Sequence, residues 1–188
     1  VIIFVSDHGD YLGDHNLIGK STFFETGIRI PIIVSGPGID EAKVCSELVM
    51  LTDVTATLLA LAEIALPAYM DAQPLPMLGL TSQPPRSRIF GMTSHGWMNF
   101  DGTYRLSKYD TGECLLFNVI DDPTEQHNLI RDPASQAIRH RLECELTQEI
   151  MRSLTDSFQP NRVYSGNSMW KSPAFGARGW QRKYPQTF

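Results

Sequence analysis

Cysteine is scarce in this 188-residue chain, which holds only three: Cys45, Cys114 and Cys144. They are widely spaced, and no Cys-x-x-Cys pair occurs among them. This pattern argues against a disulfide framework and favours a reducing compartment. We therefore expect a cytoplasmic location, with each thiol acting as a small buried hydrophobe.

Long apolar runs and clusters of one charge are also missing. No stretch approaches the length of a membrane span, and no signal peptide opens the chain, which begins at Val1 within an apolar run. The net charge of −5 comes without any Lys/Arg run, which argues against a nucleic-acid partner. The hydrophobic content of 42% is ordinary for a globular protein.

The most informative stretch lies at the start of the chain. The apolar residues 1–5 predict a strand that is buried on both faces of a parallel sheet. Asp7 and His8 follow this strand directly, at the end where open α/β sheets bind ligands. A carboxylate beside an imidazole can supply two ligands to one divalent metal. Farther along, His15 and Lys20 lie on a glycine-rich loop from which they could face an anion.

These residues also carry a family signature. The sequence resembles the second half of the sulfatases, in the segments Ser6-Asp-His-Gly-Asp-x-Leu-Gly-Asp-His15, Gly19-Lys-x-x-x-x-Glu25 and Arg29-Ile-Pro31. More narrowly, it resembles the arylsulfatase, choline-sulfatase and phosphonate monoester hydrolase group of the alkaline phosphatase superfamily. Two later blocks agree in order, at residues 51–59 and at residues 113–129, the second of which ends in Asp-Pro-Thr-Glu-Gln-His-Asn-Leu129. The resemblance covers roughly residues 1–155.

The resemblance implies a role for each candidate site residue. Asp7 and His8 are expected to bind the metal. Lys20, thirteen positions after Asp7, is expected to be catalytic and to contact the oxygens of the substrate's transferred group. His15 is expected to assist catalysis from the substrate side or from behind the metal ligands. His95 is a candidate contact for the organic part of the substrate, although its position favours a packed aromatic corner instead.

The family's nucleophile has no counterpart in this chain. In the family it is a formylglycine made from Cys or Ser within Cys-x-Pro/Ala-x-Arg, and none of the three cysteines has that context. We therefore expect the chain to be the C-terminal part of the enzyme, inactive alone, with the formylglycine upstream. Many family members carry Asn where this chain has His8, and bind Ca²⁺. Because imidazole suits Mn²⁺ or Zn²⁺ better, the metal stays open between Ca²⁺ and Mn²⁺ or Zn²⁺.

The rest of the chain predicts the remaining fold. A strand at 30–35 precedes a helix that is capped by Thr52 and ended by Pro67, with a core-facing stripe. A proline-rich loop at 67–88 leads to a three-run antiparallel meander, and Asp132-Pro133 begins a long amphipathic helix. The predicted fold is an α/β, alkaline-phosphatase-like partial sheet followed by a small antiparallel sheet packed on one helix. We place the large-domain part at 1–85, the small α+β subdomain at 86–158 and a tail at 159–188.

Other interpretations stay open. Glu25 and Arg29 predict an internal ion pair rather than chemistry. The chain's parent could instead be a phosphodiesterase relative with an upstream Thr or Ser nucleophile. A third possibility is a non-catalytic binding or oligomerisation module. We expect a small-molecule sulfate or phosphonate ester as partner, and a homo-oligomer, because exposed strand edges favour self-association.

Overall fold

The computed structural model describes residues 1–40, 42–67 and 69–157. The chain divides into two compact units, Val1–Glu143 and Cys144–Phe188, and the division falls within the last helix. The strands are β1 (Ile2–Val5), β2 (Ile32–Ser35), β3 (Ile89–Met92), β4 (Gly96–Phe100), β5 (Tyr104–Tyr109) and β6 (Cys114–Asn118). The α-helices are α1 (Glu25–Ile28), α2 (Thr52–Leu61) and α3 (Gln136–Ser157), and four short 3-10 turns accompany them within the described residues.

The first sheet departs from the prediction. β1 pairs with β2 in antiparallel register, with Ile2 opposite Ser35, so the sheet is not parallel. Its apolar side chains are not buried on both faces: Ile2 is 73% exposed, and Phe4 and Ile33 are each 61% exposed. An apolar run fixes the strand itself, but its burial depends on elements packed against it, which a local pattern cannot report. The predicted strand is present, but the predicted parallel pairing and burial on both faces were wrong.

α2 begins one residue earlier than predicted and also ends earlier. Leu51 caps it instead of Thr52, and the helix stops at Leu61 rather than at Pro67. The buried face is Asp53, Ala56 and Thr57, whereas the predicted apolar stripe is largely exposed. The reason is hydrogen bonding: the backbone N–H groups of residues 73 and 75 donate to Asp53 at 2.9 Å and to Thr57 at 2.8 Å. Backbone donors that pack against a helix need such acceptors.

Asp53 is the centre of a buried ion pair. Its side chain is 1% exposed and accepts two hydrogen bonds from Arg86, at 2.5 Å and 2.8 Å. It also accepts from the backbone N–H of Met50 at 2.8 Å. The pair joins α2 to the segment that precedes β3, and it crosses the domain boundary predicted after residue 85. That boundary stays a prediction.

The second sheet is an antiparallel meander of four strands in the order β3-β4-β5-β6. The sequence predicts three runs and misses β4, because Gly96 and Asn99 interrupt its apolar pattern and its neighbours are turn residues. The sheet supplies much of the core, where Met98, Leu106, Leu116 and Phe117 are buried. Asn99 is also buried, and its amide donates to the carbonyl of Leu142 on α3 at 3.1 Å.

The segment between β6 and α3 is held by its polar side chains. Asn128 accepts from the backbone N–H of Leu116 at 2.9 Å, which ties the segment to the edge strand β6. Asp132 caps a 3-10 turn that starts at Pro133 and runs into α3, which confirms the predicted helix start. Along α3, which the sequence predicts to be amphipathic, Leu142 and Leu146 are buried, whereas Leu154 is exposed.

Two further expectations can be compared with the structure. Cys45 and Cys144 are exposed, so the expectation of buried thiols is wrong for both. Cys144 lies two positions from both Leu142 and Leu146, which places it on the opposite side of α3. Among the described helices, none has both the length and the apolar character to cross a membrane. The predicted tail at 159–188 lies outside the described residues.

Candidate metal and anion site

The loop after β1 is pressed against α1. The backbone N–H of Gly9 donates to the carbonyl of Gly27 at 2.9 Å. A Cβ added at Gly9 would lie 1.9 Å from the carbonyl oxygen of Thr26, so only glycine fits at this position. The same contact fixes the path of the two preceding residues, Asp7 and His8.

Asp7 and His8 present adjacent lone pairs. The backbone N–H of His8 donates to Oδ1 of Asp7 at 3.0 Å, and Oδ2 of Asp7 lies 3.3 Å from Nε2 of His8. Nδ1 of His8 lies 2.7 Å from the carbonyl oxygen of Gly9. A carbonyl can only accept, so we assign the proton to Nδ1, which leaves Nε2 as a ligand. This backbone contact is the kind that orients metal-binding histidines.

The donor set fits a divalent ion. Two ligands that are each about 2.1 Å from one ion, at a tetrahedral angle, lie about 3.4 Å apart, close to the 3.3 Å between Asp7 and His8. One nitrogen and one oxygen donor suit Zn²⁺ or Mn²⁺. Among the described residues, no group of three His, Cys, Asp or Glu side chains is placed to hold an ion. The metal-binding role of Asp7 and His8 stays a prediction.

Lys20 joins this pair across the loop. Its Nζ donates to Nε2 of His8, so the ammonium occupies the lone pair that a metal would take. Nε2 can hold either the ammonium or a metal ion, so the two would compete for this lone pair. If Asp7 and His8 held a metal ion, the Lys20 ammonium would supply a further positive charge for an anion.

The loop that carries Lys20 is closed by hydrogen bonds. The backbone N–H of Tyr11 donates to Gly19 at 2.9 Å, and that of Gly19 donates to the Asp10 carboxylate at 3.2 Å. The buried hydroxyl of Tyr11 accepts from the backbone N–H of Thr22 at 2.7 Å. These contacts bring Lys20 back to His8, twelve residues earlier in the sequence.

The other two predicted site residues have different partners. The His15 ring stacks on Phe24, with centroids 3.8 Å apart and planes 8° from parallel. His95 lies in the turn between β3 and β4, is largely exposed, and pairs with Asp110 at 3.0 Å. The structure therefore brings together three of the five predicted residues, and their roles stay predictions.

The chain matches known proteins in sequence and in structure. The family described as Sulfatase matches residues 1–64. An arylsulfatase of Clostridium perfringens is 32% identical over 142 residues, which are 69% of this chain and 29% of that protein. A solved 2-O GAG sulfatase is 26% identical with a TM-score of 0.73, over 82% of this chain and 37% of that one. The chain belongs to the sulfatase family. The predicted family, within the alkaline phosphatase superfamily, is confirmed.

The fold of this sulfatase-family chain is also shared with a phosphonate ester enzyme. The solved phosphonate monoester hydrolase of Agrobacterium radiobacter has a TM-score of 0.69 over 80% of this chain and 35% of that one, at 22% identity. The α/β, alkaline-phosphatase-like fold class is therefore confirmed. The chain spans 7% to 35% of the first curated relatives it matches.

One cluster near the site was missed by sequence reasoning. Arg105 of β5 is buried and binds Glu25 at 2.5 Å, and it also binds Glu125. The sequence predicted the pair of Glu25 with Arg29, which is present at 3.2 Å, but not the longer-range partners. The only signal was Glu125 within the family block that ends at Leu129, where its partner could not be identified.

Tyr109 ties the site segment to the second sheet. Its hydroxyl accepts from the backbone N–H of Phe23 at 3.2 Å, and the two rings are 5.9 Å apart. Burial raises the pKa of Tyr109, against the opposing effect of the hydrogen bonds from Phe23 and Thr22. The phenol therefore stays neutral at physiological pH.

Proposed function

We propose that this chain carries metal-binding and anion-contacting residues of a sulfatase-type ester hydrolase. The observation that supports the proposal is the convergence of Asp7, His8 and Lys20, with Nδ1 of His8 held by the Gly9 carbonyl. Membership of the sulfatase family supports the reaction class. Further metal ligands and the nucleophile, a formylglycine, would come from outside the described residues.

Each residue of the trio then has a chemical task. Asp7 and His8 hold the metal, which when bound polarises the ester oxygens. Lys20 places its ammonium on the transferred group, where charge develops; removing a preorganised donor of this kind costs about a hundredfold in rate or more. We assign His15 a helper role and His95 a substrate contact; His15 stacks on Phe24 and His95 pairs with Asp110.

A phosphonate monoester is the second candidate substrate. It is favoured by the nitrogen ligand of His8, which suits Zn²⁺ or Mn²⁺ rather than Ca²⁺. The fold shared with a phosphonate monoester hydrolase agrees with it. In either case the partner is a small-molecule ester.

The test compares Asp7→Ala with Asp40→Ala in the full-length protein. Metal content is measured together with turnover of an aryl sulfate and an aryl phosphonate monoester. Asp7→Ala should lower metal affinity and turnover together, by more than about a hundredfold, because a direct ligand costs more than its supporting partners do. Asp40, which pairs with Lys43 on the surface, should have no effect on either.

Two results would contradict the proposal. Unchanged turnover in Asp7→Ala would remove Asp7 from the site. A wild-type protein that binds no metal and hydrolyses neither ester would favour the binding-module interpretation. A preference between the two esters decides between the two candidate substrates.

A further inference from the structure

α1 is the element on which the metal-binding loop rests. The loop contacts it through the Gly9 N–H, which donates to Gly27, and through the close approach of Gly9 to Thr26. A shift of α1 would therefore move Asp7 and His8, the two residues before Gly9. The position of the site depends on what holds α1.

α1 is held at its first residue by two buried side chains. Arg105 donates to the Glu25 carboxylate at 2.5 Å and to Glu125, while Glu125 accepts from the backbone N–H of Glu25 at 2.6 Å. Arg105 is 1% exposed and Glu125 is 3% exposed. We call Glu25, Arg105 and Glu125 the carboxylate–arginine clamp. It holds both the backbone and the side chain of the residue that begins α1.

The clamp is fixed by the second sheet. Arg105 belongs to β5, one of the two inner strands, and lies over the Phe100 ring, 5.7 Å from its centroid. Glu125 adopts a φ of 54°, in the left-handed region, which a non-glycine residue keeps only where surrounding contacts hold it. Arg105 and Glu125 are both buried, so separating them would leave an unpaired charge away from water. This cost keeps the two side chains together.

We propose that the carboxylate–arginine clamp positions the Asp7–His8 metal pair, with Arg105 as a positioning residue; this inference rests on the proposed function. Arg105 touches neither ligand, and it acts through α1 and Gly9. Its loss should therefore change metal affinity and the order of the loop more than its effect on global stability explains.

The chain offers a matched control for this test. Arg86 and Asp53 form a second buried arginine–carboxylate pair, which binds α2 instead of α1. Arg105→Lys and Arg86→Lys each replace a planar guanidinium with a point charge, and both should lower Tm. Only Arg105→Lys is expected to weaken metal binding, by about tenfold or more, as for partners behind metal ligands.

The experiment uses full-length protein and two readouts, well below Tm. The first is the dissociation constant for Zn²⁺ and Mn²⁺. The second is hydrogen exchange of the Gly9 amide in metal-free protein, which should accelerate about tenfold in Arg105→Lys but not in Arg86→Lys. Equal effects of the two substitutions on both readouts would overturn the proposal. If Arg105→Lys does not fold, Glu25→Gln against Asp53→Asn is compared in the same way.

The two proposals fail in different ways. A wild-type protein that binds neither metal defeats the proposed function, while Gly9 exchange still tests the clamp. Conversely, normal metal binding with unchanged Gly9 exchange in Arg105→Lys defeats the clamp and leaves the proposed function intact.

Discussion

In the second sheet, Leu106 and Leu116 are fully buried, whereas in the first sheet Ile2, Phe4 and Ile33 are largely exposed. The second sheet has its own core, but the first sheet carries the candidate site. The site loop is therefore held by other means: the Gly9–Gly27 hydrogen bond, the closed loop before Lys20 and the carboxylate–arginine clamp. In this chain, apolar burial stabilises the second sheet, whereas polar contacts position the residues of the candidate site.

The largest expected effect separates the two sheets directly. In the 188-residue chain, Leu106→Ala should lower the free energy of unfolding by about 2–5 kcal/mol, because it opens a cavity in the core of the second sheet. Ile33→Ala, at an exposed position of the first sheet, should change it by less than about 0.5 kcal/mol. Urea unfolding measures both. Equal losses would mean that the first sheet is as well covered as the second.

A smaller effect is expected where the site loop meets α1. Gly9→Ala places a Cβ against the Thr26 carbonyl, and the forced shift should cost about 1–3 kcal/mol. Metal affinity, measured by titration calorimetry, should fall as well, because Asp7 and His8 move with the loop. Gly38→Ala is the control: its φ of 80° makes the substitution cost stability, but a Cβ there meets no atom within 4 Å, so metal affinity should stay unchanged. Unchanged metal binding in Gly9→Ala would show that the path of the loop at Gly9 does not affect metal affinity.

The smallest expected effect lies at the β4–β5 turn of the second sheet. Burial alone would raise the pKa of Asp101, but hydrogen bonds from Arg141 and from the backbone N–H groups of Tyr104 and Thr103 outweigh it and lower this pKa. A lowered folded-state pKa contributes stability above the unfolded-state pKa, which is about 3.9. That stability is lost as the pH falls through the folded-state value.

Asp101→Asn should therefore lower Tm slightly at pH 6, by an amount that corresponds to about 1 kcal/mol. The difference from wild type should shrink as the pH falls below about 4. Thermal unfolding between pH 3 and pH 6 checks this. A difference that stays constant with pH would assign the effect to geometry rather than to charge.

The same contrast explains what the sequence could predict. The trio of Asp7, His8 and Lys20 follows from a motif with fixed spacing, and the amphipathic start of α3 from Asp132-Pro133 and a regular apolar stripe. The exposure of β1 could not be predicted, because burial is set by whatever packs against a strand. Arg105 and Glu25 are 80 positions apart, and no local period marks such a pair.

α2 follows the same rule. Its apolar residues predicted the buried face, but the acceptors Asp53 and Thr57 decided it, because buried backbone N–H groups of the following segment had to be satisfied. Hydrophobic periodicity predicts which face can be buried. A distant segment whose backbone N–H groups need acceptors can cause a different face of the helix to be buried.

The Asp53–Arg86 pair also bears on how the chain can vary in length. It ties two positions 33 residues apart, and further bonds from residues 73 and 75 anchor the connection close to α2. The exposed residues 82–85 are left between fixed points. Because closing a loop of twice the length costs only about 0.6 kcal/mol more, inserted residues there should leave α2 and β3 in place. A probe or tag inserted between residues 82 and 85 should therefore be tolerated.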